Sequence, residues 1–171
     1  MKNGRVKQLT VCAALSAIGV VLLSIGHLID VLDASLAVLA SIVCIVAVIE
    51  YGKAAPWLVF SVTATLSLIL IPPNSAALMY LMFFGYYPIL KEKLERLPRV
   101  LSWVVKELIF NTAMVICIAL ITILFMPTTE VTVWTYAILV LLCEVVFVLY
   151  DIALTRLISF YIYKLRTRFK F

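Results

Sequence analysis

Positions 143–156 read CEVVFVLYDIALTR. Glu144, Asp151 and Arg156 stand there in a segment that is largely apolar from Val131 to Tyr163. A carboxylate at the centre of a lipid-embedded helix costs about 2.5–3.5 kcal/mol on insertion scales, so such a group needs a partner, a proton or a task. Glu144 and Asp151 are seven residues apart and share one helical face. Arg156 follows Asp151 by five, a poor spacing for an intrahelical ion pair. The two acids therefore look to other helices. If the segment enters the membrane at Val131, a rise of about 1.5 Å per residue puts Asp151 about 30 Å away, at the far boundary. Glu144 then lies about 20 Å in, inside the hydrocarbon. Its expected partners are Asn111, Lys106 or a tyrosine hydroxyl.

Two groups of polar residues gather at the ends of the apolar runs. One contains Glu50, Lys53, Tyr86, Tyr87, Lys106, Glu107, Asn111, Glu144, Asp151 and Arg156. It is either a hydrogen-bonded belt that fixes helix ends or a site or docking surface. The other contains His27, Asp30, Asn74, Glu130 and Trp134, with Asp33 and Tyr136 close in sequence. It is either polar loops with aromatic interface anchors or a set of loops closing over a small solute. Its acidic rim suits a neutral or cationic solute.

Composition names the medium these residues work in. Of 171 residues 65% are hydrophobic and 13% charged, and the mean hydropathy is +1.18. Soluble domains carry roughly 45–50% apolar residues. The chain is expected to be all-α: a single integral membrane domain over 1–171, built as a bundle of transmembrane helices. Each span needs about 20 mostly apolar residues. Six emerge, over 9–28, 34–49, 55–71, 75–90, 108–126 and 131–151, the fourth of them short. Gly26 with Asp30 and Asp33, then EYGKAAP, PPNS, a charged connection over 91–107 and MPTTE mark the breaks between them. The N-terminal MKNGRVKQ and its apolar run read as an uncleaved first span, because that run is long for a signal peptide and no cleavage pattern follows.

Orientation follows from the fourteen basic residues. Lys2, Arg5 and Lys7 precede the first span, and Lys53 lies between the second and third. Lys91, Lys93, Arg96, Arg99 and Lys106 lie between the fourth and fifth, and Arg156, Lys164, Arg166, Arg168 and Lys170 lie at the C-terminal end, which includes the basic tail 164–171. Six spans put all of them on one side, the cytoplasm by the positive-inside rule. Both termini are then cytoplasmic, in a plasma membrane, most simply a bacterial one. The net charge of +5 reflects topology and contact with the lipid bilayer, not nucleic acid.

Other chemistry has little raw material. Cys12, Cys44, Cys117 and Cys143 sit in apolar runs without a CxxC pair, and His27 is the one histidine. No metal and no other cofactor is expected. No metalloprotease, GxSxG or Walker pattern occurs, and an enzyme is not expected. In KEKLERLPRVLSWVVKELIF, Leu90, Leu94, Leu97, Leu101 and Val104 recur at helical spacing, interrupted at Pro98. An amphipathic helix on the inner surface followed by a bend is the expectation. Ala13 and Ala17 in the first span, and Ala34, Ala37 and Ala40 in the second, are small residues that let helices approach closely, inside the bundle or against a partner.

Six spans in a short chain with both termini inside, together with the Ala13–Ala17 step in the first, resemble the substrate-binding S-component of energy-coupling-factor transporters. The resemblance implies capture of a vitamin or related micronutrient near the outer end, for which His27, Asp30, Asn74, Glu130 and Trp134 are the candidates. It also implies docking, through Ala13 and Ala17, on a membrane coupling subunit that sits on cytoplasmic ATPases. The same small-bundle architecture is similar to that of non-transporting scaffolds of the cell envelope, which need partner surfaces at the cytoplasmic face and no solute pocket.

Overall fold

The computed structural model describes residues 2–52, 54–72, 74–125 and 133–165. Among them every regular element is helical. The chain divides into two units, Met1–Leu124 and Phe125–Phe171.

The first unit begins with α1, Lys2–Leu28, and a 3-10 turn, Asp30–Leu32. Then comes α2, Asp33–Glu50, with Asp33 in its first turn where the helix dipole favours a carboxylate. Next is α3, Ala55–Leu70, which carries Pro56 in its first turn, where the missing N–H is not needed. The sequence Pro72–Pro73 follows its end. The stretch after it is not one helix. It runs as α4, Ser75–Met79, a π-helical stretch, Tyr80–Phe84, and α5, Tyr87–Leu94. The amide of Gly85 donates to Tyr80 O at 2.7 Å, the five-residue reach that defines the π turn. Finally, α6 covers Arg99–Phe125. The second unit consists of α7, Val133–Phe160, and a π-helical turn, Tyr161–Leu165.

Four of these helices are long and apolar enough to cross a membrane: the segments are Arg5–Leu28, Asp33–Glu50, Arg99–Leu120 and Ile138–Lys164. The protein is an all-α, multi-span membrane protein. The count of six full-length spans is corrected in two places. The third expected span is a helix of 16 residues, about 24 Å long, short of the ~30 Å hydrocarbon core. The fourth is broken by the π stretch and by Gly85–Tyr86. Two boundaries also move. The stretch 99–107, expected as part of a surface connection, is the start of α6, because Pro98 bends the chain and Ser102 N already donates to Pro98 O at 2.9 Å. The sixth segment does not end near Asp151, since α7 continues through Arg156 to Phe160.

The core of the first unit is made by small residues. Ala37, Ala40, Ser41, Cys44 and Ala47 form one buried stripe along α2. Leu23 of α1, Ala37, Ala40, Ala64 of α3, Ala76, Ala77 and Tyr80 form one cluster, and Cys12, Ala47, Ala55 and Val59 form another. Small side chains let backbones approach within van der Waals reach, which is what holds helices together where lipid removes the hydrophobic incentive. Gly26 shows how closely. It lies inside α1, not in the turn expected there, and a Cβ on it would stand 2.9 Å from Ala76 Cβ.

The turn between α3 and α4 reaches the same level as the start of α2. Ser75 Oγ donates to the Asp33 carboxylate, and Asn74 Nδ2 donates to Leu23 O at 3.4 Å. At its other end α3 packs Ala55 and Val59 against Cys12 and Ala47. The short helix therefore runs beside α2 from Asp33 to Ala47, most of that helix's length.

Candidate functional site

The Asp33 end of the first unit holds His27, Asp30 and Asn74, three of the residues expected to bind a solute. Asn74 is 2% exposed and engaged in structure. Its Oδ1 accepts from Ala77 N at 2.9 Å, capping α4, while its Nδ2 ties the turn to α1. One side chain thus meets two backbone needs, and it is a packing residue. Trp134 opens α7 and is 78% exposed. His27 is half-buried in the last turn of α1, and Asp30 starts the 3-10 turn. Glu130 lies outside the described residues. The structure brings Asn74 to the ends of α1 and α2, and it adds two residues that the solute set omitted, Asp33 and Ser75. Asp33 Oδ1 is buried with no hydrogen-bond partner among the described residues. Aspartate directly before an apolar run is a helix-start signal as much as a site signal, which is why its burial was not legible.

The Glu50 end is denser. Phe60, Tyr80, Phe83, Tyr86, Tyr87 and Phe110 form a continuous set of ring contacts, with centroids 4.7–6.3 Å apart. Edge-to-face geometry dominates, as ring quadrupoles require. Tyr86 and Tyr87, expected in the polar belt, are members of this set. Tyr51 ends α2 beside Glu50, and burial pushes its phenol up, with Cys12 and Glu50 adding to the shift. It stays a neutral hydroxyl at physiological pH.

Next to the rings stands a basic cluster. Lys91 is fully buried and its Nζ lies 2.9 Å from Glu95 Oε1. Lys106, also buried, reaches the same oxygen at 3.9 Å and lies over the Trp103 ring, 5.5 Å from its centroid. Glu92 pairs with Arg96 at 2.8 Å on the surface. Lys91 was not among the expected site residues, because its sequence context, between Leu90 and Glu92, is that of a solvated charge. Only the docking of α5 buries it. The expected amphipathic stripe is split at the end of α5, before Pro98: Leu94 is buried, while Leu97, Leu101 and Val104 are exposed.

The remaining belt residues are placed by their own helices. Asn111 Nδ2 donates to Glu107 O at 3.0 Å along α6. Glu144, Asp151 and Arg156 belong to the second unit, where Thr155 Oγ1 donates to Asp151 O at 2.9 Å. Lys53 lies outside the described residues. Among the described residues no three His, Cys, Asp or Glu side chains gather as a metal-binding group.

On α1 the two alanines of the small-residue step face away from the bundle. Ala13 and Ala17 are exposed, whereas Cys12, Ser16, Gly19 and Val20 are buried. Within the first unit the seam uses the Cys12, Ser16 and Gly19 face of α1 and the small-residue stripe of α2, and the Ala13–Ala17 face is left exposed.

Comparison with protein families, curated proteins and solved structures finds no match to this chain.

Proposed function

We propose that the protein is a partner-docking membrane subunit that works through the outward Ala13–Ala17 face of α1. The carrying observation is that this face is small and apolar yet is left exposed by the packing of the first unit. Two small residues four apart let a second helix approach its backbone closely. Of the two assemblies that use such a subunit, the non-transporting envelope scaffold is supported better than solute capture. The reason is Asn74: the deepest residue of the expected solute end caps α4 and tethers α1. The S-component reading keeps one specific support, that Ala13 and Ala17, to which the resemblance assigns docking, are exposed on α1.

In this reading both termini are cytoplasmic, as the positive-inside rule expects from the basic residues. The short α3 and the broken segment after it act as a pair. Whether they cross or turn back, Lys53 and the Lys91–Lys106 region return to one side, so the charge partition holds for four crossings or six.

Ala13→Leu/Ala17→Leu should leave the purified chain folded, because both sites are exposed, and should deplete its membrane partner about tenfold. Mass spectrometry of proteins co-purified from native membranes measures this. An unchanged partner set would remove the docking reading. A partner carrying ATPases, with a stoichiometric small solute released from the wild type, would choose the transporter over the scaffold.

The protein carries no catalytic role in this reading, and the Glu144 carboxylate serves structure. Glu144→Gln, which keeps size and hydrogen bonding, should support growth like the wild type in a deletion strain. Loss of complementation by a folded Glu144→Gln protein would bring an enzymatic or proton-handling role back.

A further inference from the structure

Between the π-helical stretch and α6 lies an open groove of about 460 Å³. Leu81, Met82 and Tyr86 form one wall and Leu108, Thr112 and Ile116 the other. The α6 residues are spaced four apart, so they make one straight apolar stripe. Thr112 Oγ1 donates to Leu108 O at 2.8 Å, which leaves its methyl as the natural lining. The groove therefore offers little to orient a polar solute.

Its two ends differ. The Ile116 end points along the apolar part of α6. The Tyr86–Leu108 end points toward the basic elbow, where Lys93 and Arg99 are exposed and Trp103 is partly exposed. Lys93 lies about two turns beyond Tyr86, and Arg99 two and a half turns before Leu108. Long basic side chains and an indole ring are the groups that meet phosphate headgroups at a membrane boundary. An apolar channel whose one end leads, about 10–14 Å further along the two helices, to exposed cations matches a molecule that is apolar along its length and anionic at one end.

We propose that this groove holds one acyl chain of an anionic phospholipid, with its phosphate at Lys93 and Arg99. The inference goes beyond the docking reading and uses a different face of the bundle.

The test is native mass spectrometry of the full chain released from nanodiscs of equal phosphatidylglycerol and phosphatidylcholine. One phosphatidylglycerol should be retained in preference to phosphatidylcholine. Lys93→Glu/Arg99→Glu should reduce that preference about tenfold or more, the size expected for two basic contacts with an anionic lipid. Thr112→Trp fills the groove from its exposed side and should abolish retention of the lipid without changing the elution volume. Equal retention of the two lipids overturns the proposal, as does wild-type retention by a folded Thr112→Trp protein. Lipid-free dimers in the wild type would also overturn it and give the groove to a second copy. Should Thr112→Trp fail to fold, the charge variant, whose changes are on exposed residues, decides alone.

Discussion

Gly85→Val should unfold this protein or lower its stability by about 3 kcal/mol or more, and Gly85→Ala by about 1–3 kcal/mol. The backbone there has φ −73°, which any residue adopts, so the demand is for space alone. A Cβ would stand 2.5 Å from Phe60 Cδ2 and 2.7 Å from Tyr80 Cε1. Neither ring can step aside cheaply. Phe60 packs on Trp57, Tyr80 and Tyr86, and Tyr80 is fully buried. Thermal unfolding in detergent, followed by the loss of the monodisperse peak, measures the effect. Phe60→Leu in the Gly85→Ala background should recover part of the loss, and the non-additivity of the pair identifies the clash as the cause. A Gly85→Ala protein with the wild-type melting curve would show that the ring stack yields to a methyl group without cost.

The second large effect is at Asn74. Asn74→Ala removes the cap of α4 and the tie to α1 together, and should cost about 2–3 kcal/mol. Asn74→Ser keeps a cap acceptor and loses only the tie, so it should cost about 0.5–1.5 kcal/mol. The order Ala worse than Ser, seen in denaturation of the purified variants, follows from the two hydrogen bonds. A solute-binding Asn74 behaves differently: the Ala variant stays as stable as the wild type while a bound small molecule is lost. The experiment therefore separates packing from capture at the one residue where the two readings meet.

Both predictions fall in the segment that sequence reasoning described least well. Residues 75–90 are apolar enough for a span, and hydropathy averaged over a window cannot see a change of helical hydrogen-bonding pattern. The π stretch depends on Gly85 meeting Phe60, a contact between residues 25 apart in the chain. Lys91 is a similar case. Its neighbours in sequence are Leu90 and Glu92, yet α5 docks so that it is buried against Glu95. Asn74 and Glu95 are two more. Read from sequence, Asn74 is a solute ligand and Glu95 has no role, and only packing shows the backbone and the cation that they serve.

The sequence by itself determined that the chain lives in a membrane and that its elements are helices. Those properties depend on composition and on local spacing, since lipid leaves the backbone no partner except its own helix. Only the tertiary structure decided which small-residue stripe packs inside and which faces outward. Ala13–Ala17 and Ala37–Ala40 look alike in sequence, yet within the first unit Ala37 and Ala40 are buried while Ala13 and Ala17 are exposed. A helix's exposed face is set by its neighbours, and neighbours distant in sequence are what a single chain's local pattern does not contain.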